Sequence, residues 1–165
     1  MPSLPTSTTT STPPGAQRGS AAWQDEALRL DNQLCFALYS TSLAMSRMYK
    51  PLLDALDLTY PQYLAMLVLW EQDGLGVSEL GERLFLDSGT LTPLLKRMES
   101  AGLITRARDA QDERRVTVTL TPAGKRLKAK ARGIPGCVLE ASQCSVAEVA
   151  SLTRRLQALR GQLQV

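Results

Sequence analysis

Apolar residues recur at helical spacing from Gln24 to about Asp57, at Leu30, Leu34, Leu38, Leu43, Met48, Leu52, Leu53 and Leu56. This predicts one long helix or two in series, with Pro51, which has no amide hydrogen, kinking or breaking the pattern. Tyr60 and Pro61 open a further helix, because proline suits a first turn. The apolar run Tyr63 to Trp70 predicts that this helix is largely buried and stops near Asp73 and Gly74.

The next units are short. VSELGERL, Val77 to Leu84, reads as two helical turns with Ser78 as cap, and Asp87 and Ser88 offer a new cap after Phe85 and Leu86. The helix that follows, SGTLTPLLKRMESAG, contains Pro93. Local rules place Pro93 in a first turn with Thr92 as cap, while a start at Asp87 costs one backbone bond; the start lies within one turn of these limits. Gly102 ends the helix. LITRAR and RRVTVTLT then form a hairpin across the polar tip DAQDE, the second strand alternating at Val116, Val118 and Leu120. Thr121, Pro122 and Ala123 cap a basic helix through Lys125, Lys128 and Lys130 toward Arg132, and Gly133, Pro135 and Gly136 interrupt it. Ser145 with Glu148 forms a capping box, and Val146, Val149, Leu152, Leu156, Leu159 and Leu163 trace one apolar stripe that requires a partner surface.

Composition narrows the class. The chain has 165 residues, 44% apolar and 21% charged, enough for one globular domain with a sizeable core. Residues 1–20, rich in Ser, Thr, Pro and Gly, read as a disordered tail without a signal-peptide core. No segment approaches the roughly 20 apolar residues needed to span a bilayer, so a cytoplasmic protein with no membrane partner is expected. Three cysteines, Cys35, Cys137 and Cys144, do not make a disulfide framework, and a disulfide among them would be a switch. With no histidine, a Ser-His-Asp triad, a Cys-His pair and imidazole zinc sites are excluded, and neither a cofactor nor a metal is expected.

The net charge of +3 conceals a local excess: Lys96 to Arg132 holds eleven Lys or Arg against four Asp or Glu. That excess coincides with the helix, turn, helix, hairpin unit, the order of a winged helix-turn-helix. The expected fold is therefore mainly α with a small β-hairpin wing, a DNA-binding lobe at about 61–122 joined to helical regions at about 24–57 and 123–165. Ser88, Thr90 and Thr92 offer hydroxyls to phosphates and base edges of double-stranded DNA, with Lys96 and Arg97 behind them. Arg106, Arg108, Arg114 and Arg115 supply charge to the wing. A charge run alone would more often be a solvated face.

The residues also carry a resemblance. DERRVTVTLTPAG, Asp112 to Gly124, resembles the wing signature of the MarR family of dimeric repressors, and LDSGTLTPLLKRMESAGLI, Leu86 to Ile104, resembles its recognition helix. LDNQLCFALYS with LDLTYPQYLAMLVLW resembles the organic hydroperoxide resistance regulator branch, OhrR, over about Leu28 to Leu163. The resemblance implies a homodimer that leaves its operator when Cys35 is oxidised. By position it makes Cys35 the sensor, matches Tyr49 and Tyr60 to tyrosines that contact its sulfur across the dimer, and matches Tyr39 to a nearby one. Asp112 and Arg114 match the wing's ion pair and minor-groove arginine, and Ser88, Thr90 and Arg106 fall at DNA contacts.

The chemistry agrees, because a thiolate is the species that attacks a peroxide, and a helix N-terminus with phenolic donors favours it. Asp31 as cap would put Cys35 within or just beyond the first turn, and Leu34, Phe36, Leu38 and Met48 would line an apolar approach for organic or lipid hydroperoxides. Cys137 and Cys144 are the two candidates for a resolving thiol; Cys137, after Pro135 and Gly136, sits at a helix start, and Cys144 precedes Ser145. Pattern alone would make Cys35 a core filler. Two rivals remain: a MarR-type repressor relieved by a small phenolic or carboxylate ligand, with Cys35 structural, and a DNA-binding scaffold without a sensor. A thiol peroxidase would need neither wing nor basic helix, so no enzyme is expected.

Overall fold

A computed structural model describes residues 21–108 and 115–163. The expected tail, residues 1–20, lies outside them. The chain divides into two compact units, Met1–Ser42 and Leu43–Val165.

In the first unit, α1 (Ala21–Ala27) is followed by one 3-10 turn, Leu30–Asn32, and by the start of α2 (Leu34–Asp54). Asp31 lies inside the 3-10 turn, so it does not cap α2 as expected. The turn is fastened locally, with Asn32 donating to the Glu26 carbonyl at 2.8 Å and Gln33 donating to that of Ala27. Leu28, Leu30 and Leu34 are all exposed.

The second unit holds the core. α2 continues through Pro51, which removes one amide from its ladder without ending the helix. Thr59 caps α3 (Tyr60–Glu71) in a reciprocal box: Gln62 Oε1 accepts from the Thr59 amide at 2.8 Å, and Thr59 Oγ1 accepts from the Gln62 amide at 3.5 Å. α3 is the central post, with Gln62, Tyr63, Ala65, Met66 and Leu69 all buried. Around it lie β1 (Leu75–Gly76), α4 (Val77–Leu84), α5 (Ser88–Ser100), β2 (Ile104–Arg108) and β3 (Val116–Leu120). The cap of α4 is Gly76, not Ser78, which is already its second residue.

Between α4 and α5 the backbone turns through Phe85, whose φ of 55° is left-handed. Gly81 permits that tight turn, because a Cβ there would come within 3.0 Å of the Leu86 carbonyl oxygen. α5 begins at Ser88 with Asp87 as cap, one turn before the alternative at Thr92, and Pro93 is accommodated inside it. The cap wins because the Asp87 carboxylate accepts both the amide and the hydroxyl of Thr90, each at 2.9 Å.

The sheet has the order β1-β3-β2, fully antiparallel, with Ile104 opposite Leu120 and Leu75 opposite Val118. Val118 and Leu120 face the core and Thr119 faces out, as alternation demands. Thr121 caps α6 (Pro122–Ala131), accepting from the Gly124 amide at 3.1 Å and donating to the Gly102 carbonyl at 2.6 Å. Gly124 is sterically obligatory, since a Cβ would collide with the Leu103 carbonyl. Trp70 Nε1 donates to the Gly124 carbonyl at 2.9 Å, and Lys128 Nζ to the Trp70 carbonyl at 2.8 Å, fastening α3 to α6.

The glycines and proline after α6 do not leave an irregular segment. They start α7 (Ile134–Ser142), with Pro135 in its first turn. α8 (Val146–Leu163) opens on the expected capping box: Glu148 accepts from the Ser145 amide at 2.8 Å and its own amide donates to Ser145 Oγ at 3.3 Å. No residue of α8 is buried.

Candidate nucleic-acid interface and thiol site

α5 buries Leu91, Leu94, Leu95 and Met98 and exposes Ser88, Thr90, Thr92, Lys96 and Arg97. The split follows helical geometry, with Ser88, Thr92 and Lys96 at successive i,i+4 positions on one outer row. The Thr90 hydroxyl donates to Asp87, leaving its oxygen free to accept. Hydrogen bonds from the amide and hydroxyl of Thr90 hold the Asp87 carboxyl below its usual range, so the cap is an anion. A groove of about 580 Å³ runs between α4, α5 and β3, lined by Ser78, Thr92, Arg106 and Arg115 together with Glu79 and Glu82.

Arg115 is exposed just before β3, and Arg108 is exposed at the end of β2. Asp112 and Arg114, expected in the wing tip, lie outside the described residues. Arg106 is placed differently from the others. Glu99, near the end of α5, accepts from its amide at 2.9 Å through Oε1, and from its Nε at 3.0 Å and Nη2 at 2.6 Å through Oε2. The bond from the Arg106 side chain, chiefly, holds the Glu99 carboxyl below its usual range.

Asp73 makes a matching tie on the other strand. It accepts from the Leu120 amide at 2.8 Å and from Lys125 at 3.0 Å. Burial pushes its carboxyl up, but the Leu120 amide, Lys125 and the Gly74 amide outweigh that and hold it below the usual range. Glu99, Asp73 and Trp70 were not legible as site residues. Glu99 precedes Arg106 by seven residues, and the two meet because the chain turns at Gly102 and brings β2 back beside the end of α5, which neither residue's local pattern shows.

Cys35 is the second residue of α2, in its first turn, and is exposed; Tyr39, a turn later, is 62% exposed. In the second unit Tyr49 and Tyr60 are brought together with ring centroids 4.8 Å apart, and Tyr63 lies 6.0 Å from Tyr49. Burial, with Tyr60 and Tyr63 adding to it, pushes the Tyr49 phenol up to about 12, and burial raises Tyr60 as well. Both hydroxyls therefore stay protonated near neutrality and can donate hydrogen bonds. Tyr63 is buried in the core.

All three cysteines are free. Cys137 is exposed at the fourth position of α7, whereas Cys144 is half-buried between α7 and α8 with its thiol donating to the Ser142 carbonyl at 3.3 Å. Among the described residues no group of three or more His, Cys, Asp or Glu side chains could hold a metal ion, and no helix is long and apolar enough to cross a membrane.

Comparison with known proteins adds names to this geometry. The family described as "Transcriptional regulator SarA/Rot" matches residues 47–131. The organic hydroperoxide resistance transcriptional regulator of Bacillus subtilis (strain 168) is 54% identical over 132 residues, 80% of this chain and 90% of that protein. The HTH-type transcriptional regulator TtmR of Methylorubrum extorquens (strain PA1) is 49% identical over 152 residues, covering 90% of this chain and 78% of its own. AbfR of Staphylococcus epidermidis is similar in structure. Reduced AbfR bound to DNA superposes with a TM-score of 0.68 at 33% identity, covering 87% of this chain and 99% of AbfR. Its disulfide-formed state gives 0.59 at 35% identity, covering 85% and 98%.

Proposed function

The chain belongs to the MarR-type DNA-binding transcriptional regulators, in the branch of the organic hydroperoxide resistance regulators, and from that premise we propose that it is a repressor released from operator DNA when Cys35 is oxidised. The observation that carries the reading is the exposure of Cys35 in the first turn of α2. Leu30, Leu34 and Leu38 are exposed beside it, so the thiol lies on an apolar face that its own chain leaves open. AbfR, a relative of the same fold, occurs DNA-bound in its reduced and its overoxidized forms and also with a disulfide formed, which favours a disulfide, not oxidation of one thiol alone, as the releasing state.

The chemistry follows from the side chains. The Cys35 thiolate attacks the terminal oxygen of an organic hydroperoxide; the O–O bond breaks, the alkoxide leaves and takes a proton, and Cys35 becomes a sulfenic acid. Tyr49 and Tyr60, kept as neutral donors, are suited to hydrogen-bond the sulfur or the departing oxygen from the partner subunit of a homodimer. A second thiol then condenses with the sulfenic acid, forming an S–S bond and releasing water. Cys137 is the stronger candidate, being exposed, while Cys144 is half-buried and its thiol is held by Ser142.

The apolar residues of α8 and of the α1–α2 region supply the dimer surface. The dimer sets two copies of α5 about one DNA turn, roughly 34 Å, apart. Ser88, Thr90, Thr92, Lys96 and Arg97 meet the major groove, and the wing, including Asp112, Arg114 and Arg115, meets the flanking minor groove.

The test uses a duplex recovered by in vitro selection against the reduced protein. One equivalent of cumene hydroperoxide should release the wild type, and Cys35→Ser should remain bound. Release of Cys35→Ser by the peroxide would exclude this mechanism. Release of both proteins by a phenolic acid instead would establish the ligand-relieved reading. Mass mapping under non-reducing conditions identifies the partner of Cys35.

A further inference from the structure

We infer that Glu99 and Arg106 form one positioning unit that fixes the wing against the recognition helix, and that Arg106 acts on DNA through Glu99 and not through a phosphate. This rests on the placement of the wing at the minor groove. The Glu99 carboxylate spans two elements: it grows from the penultimate position of α5 and holds the centre of β2 by one backbone and two side-chain hydrogen bonds. The Arg106 side chain is 23% exposed and that of Glu99 35%, so the pair is sheltered without being sealed.

Its place in the sheet gives the pair leverage. Arg106 is registered opposite Val118, which is fully buried and is registered in turn opposite Leu75 of β1. A shift of β2 relative to Glu99 therefore carries β3 with it, because the two strands are paired from Ile104 opposite Leu120 to Arg108 opposite Val116. β3 is held independently by Asp73, whose carboxylate accepts from the Leu120 amide. The hairpin thus hangs from two carboxylates, one at the end of the recognition helix and one just past the end of α3.

A bidentate guanidinium–carboxylate fork is geometric as well as electrostatic, and lysine does not reproduce it. A phosphate contact, in contrast, needs only the charge. This difference makes the inference testable in the full-length reduced protein, on the selected duplex, with Glu99→Gln, Arg106→Lys, Arg106→Gln and the Glu99→Gln/Arg106→Gln double variant. Each single variant should bind about tenfold more weakly, and the double variant also about tenfold, not a hundredfold, because both changes break one unit. The dependence of log K on log salt should keep its wild-type slope in all four.

Hydroxyl-radical footprints should lose the flanking minor-groove protection while the central protection under the recognition helix remains, a split that general destabilisation would not produce. Three results overturn the inference: full affinity in Arg106→Lys, a salt slope reduced by about 0.9 in Arg106→Gln alone, or wild-type minor-groove protection in Glu99→Gln. Absence of minor-groove protection in the wild type itself would overturn the placement of the wing, and this inference with it.

Discussion

In the DNA-binding lobe Leu80, Leu91, Leu95 and Met98 are at most 1% exposed, whereas along α8 Val146, Leu152 and Leu163 are 70%, 56% and 69% exposed. Both regions carry aliphatic side chains at helical spacing, Leu and Met in the one and Leu and Val in the other. The lobe closes on itself: side chains cap α3, α5 and α6, and its buried side-chain nitrogen and oxygen atoms, among the described residues, all have partners. α8 has a completed cap at its start and an apolar stripe that its own chain leaves uncovered. One region buries its apolar residues within its own chain, and the other leaves them exposed, as the proposed dimer requires.

The largest effect should come from breaking the unfinished half. Leu152→Asp with Leu156→Asp places four charges in a symmetric seam, at about 1.5–3 kcal/mol for each leucine lost from it, so dimer dissociation should rise by at least about 1000-fold. Sedimentation would show monomers, while circular dichroism keeps the lobe's helices. Unchanged dimers would mean that the stripe is covered by something other than a second copy.

Gly124→Ala tests the finished half. The Leu103 carbonyl must move to admit a methyl group, costing about 1–3 kcal/mol in urea unfolding with little change in dimer dissociation. Thr121→Ala removes the cap of α6 and its donor to the Gly102 carbonyl, a loss of about 1 kcal/mol by the same measurement.

Acid gives the smallest and most selective effect. Glu99 and Asp73 lie below their ordinary values of 4.5 and 3.8 in the folded lobe, so their contributions are complete above those values and fade as pH falls through the lower folded ones. The urea midpoint of the lobe should drop between pH 5 and pH 3, and Glu99→Gln or Asp73→Asn should each flatten that drop. The apolar stripe of α8 has no titrating group, and only its cap, where Ser145 holds the Glu148 carboxyl below its usual range, should weaken in the same acid window.

Much of this division could be read before any coordinates. Tyr60 with Pro61, Thr121 with Pro122, and Ser145 with Glu148 marked three helix starts because first-turn and capping chemistry is local, whereas the Thr59 cap itself was not read. The alternation of Val118 and Leu120 marked the buried face of β3 for the same reason. β1 escaped, since two residues have no period and Leu75 is a strand only through its pairing with Val118. The start of α7 was legible at Pro135 and Gly136, ahead of Cys137, but its length was not, because the same residues also punctuate as breakers. Serine at position 78 looked like a cap, but the helix had already begun at Val77. At the site, Ser88, Thr90 and Thr92 were legible as hydroxyls at the front of α5, and all three are exposed. The capture of Arg106 by Glu99 was not, because it joins elements across a turn.

Trp70 stands at the junction where α3 meets α6, its ring 6.4 Å from Tyr63 and its N–H spent on Gly124. An indole in such a place is a built-in optical gauge. The chain has only one other tryptophan, Trp23, so a Trp23→Phe protein would report the foot of the wing through a single fluorophore, in solution and without a label.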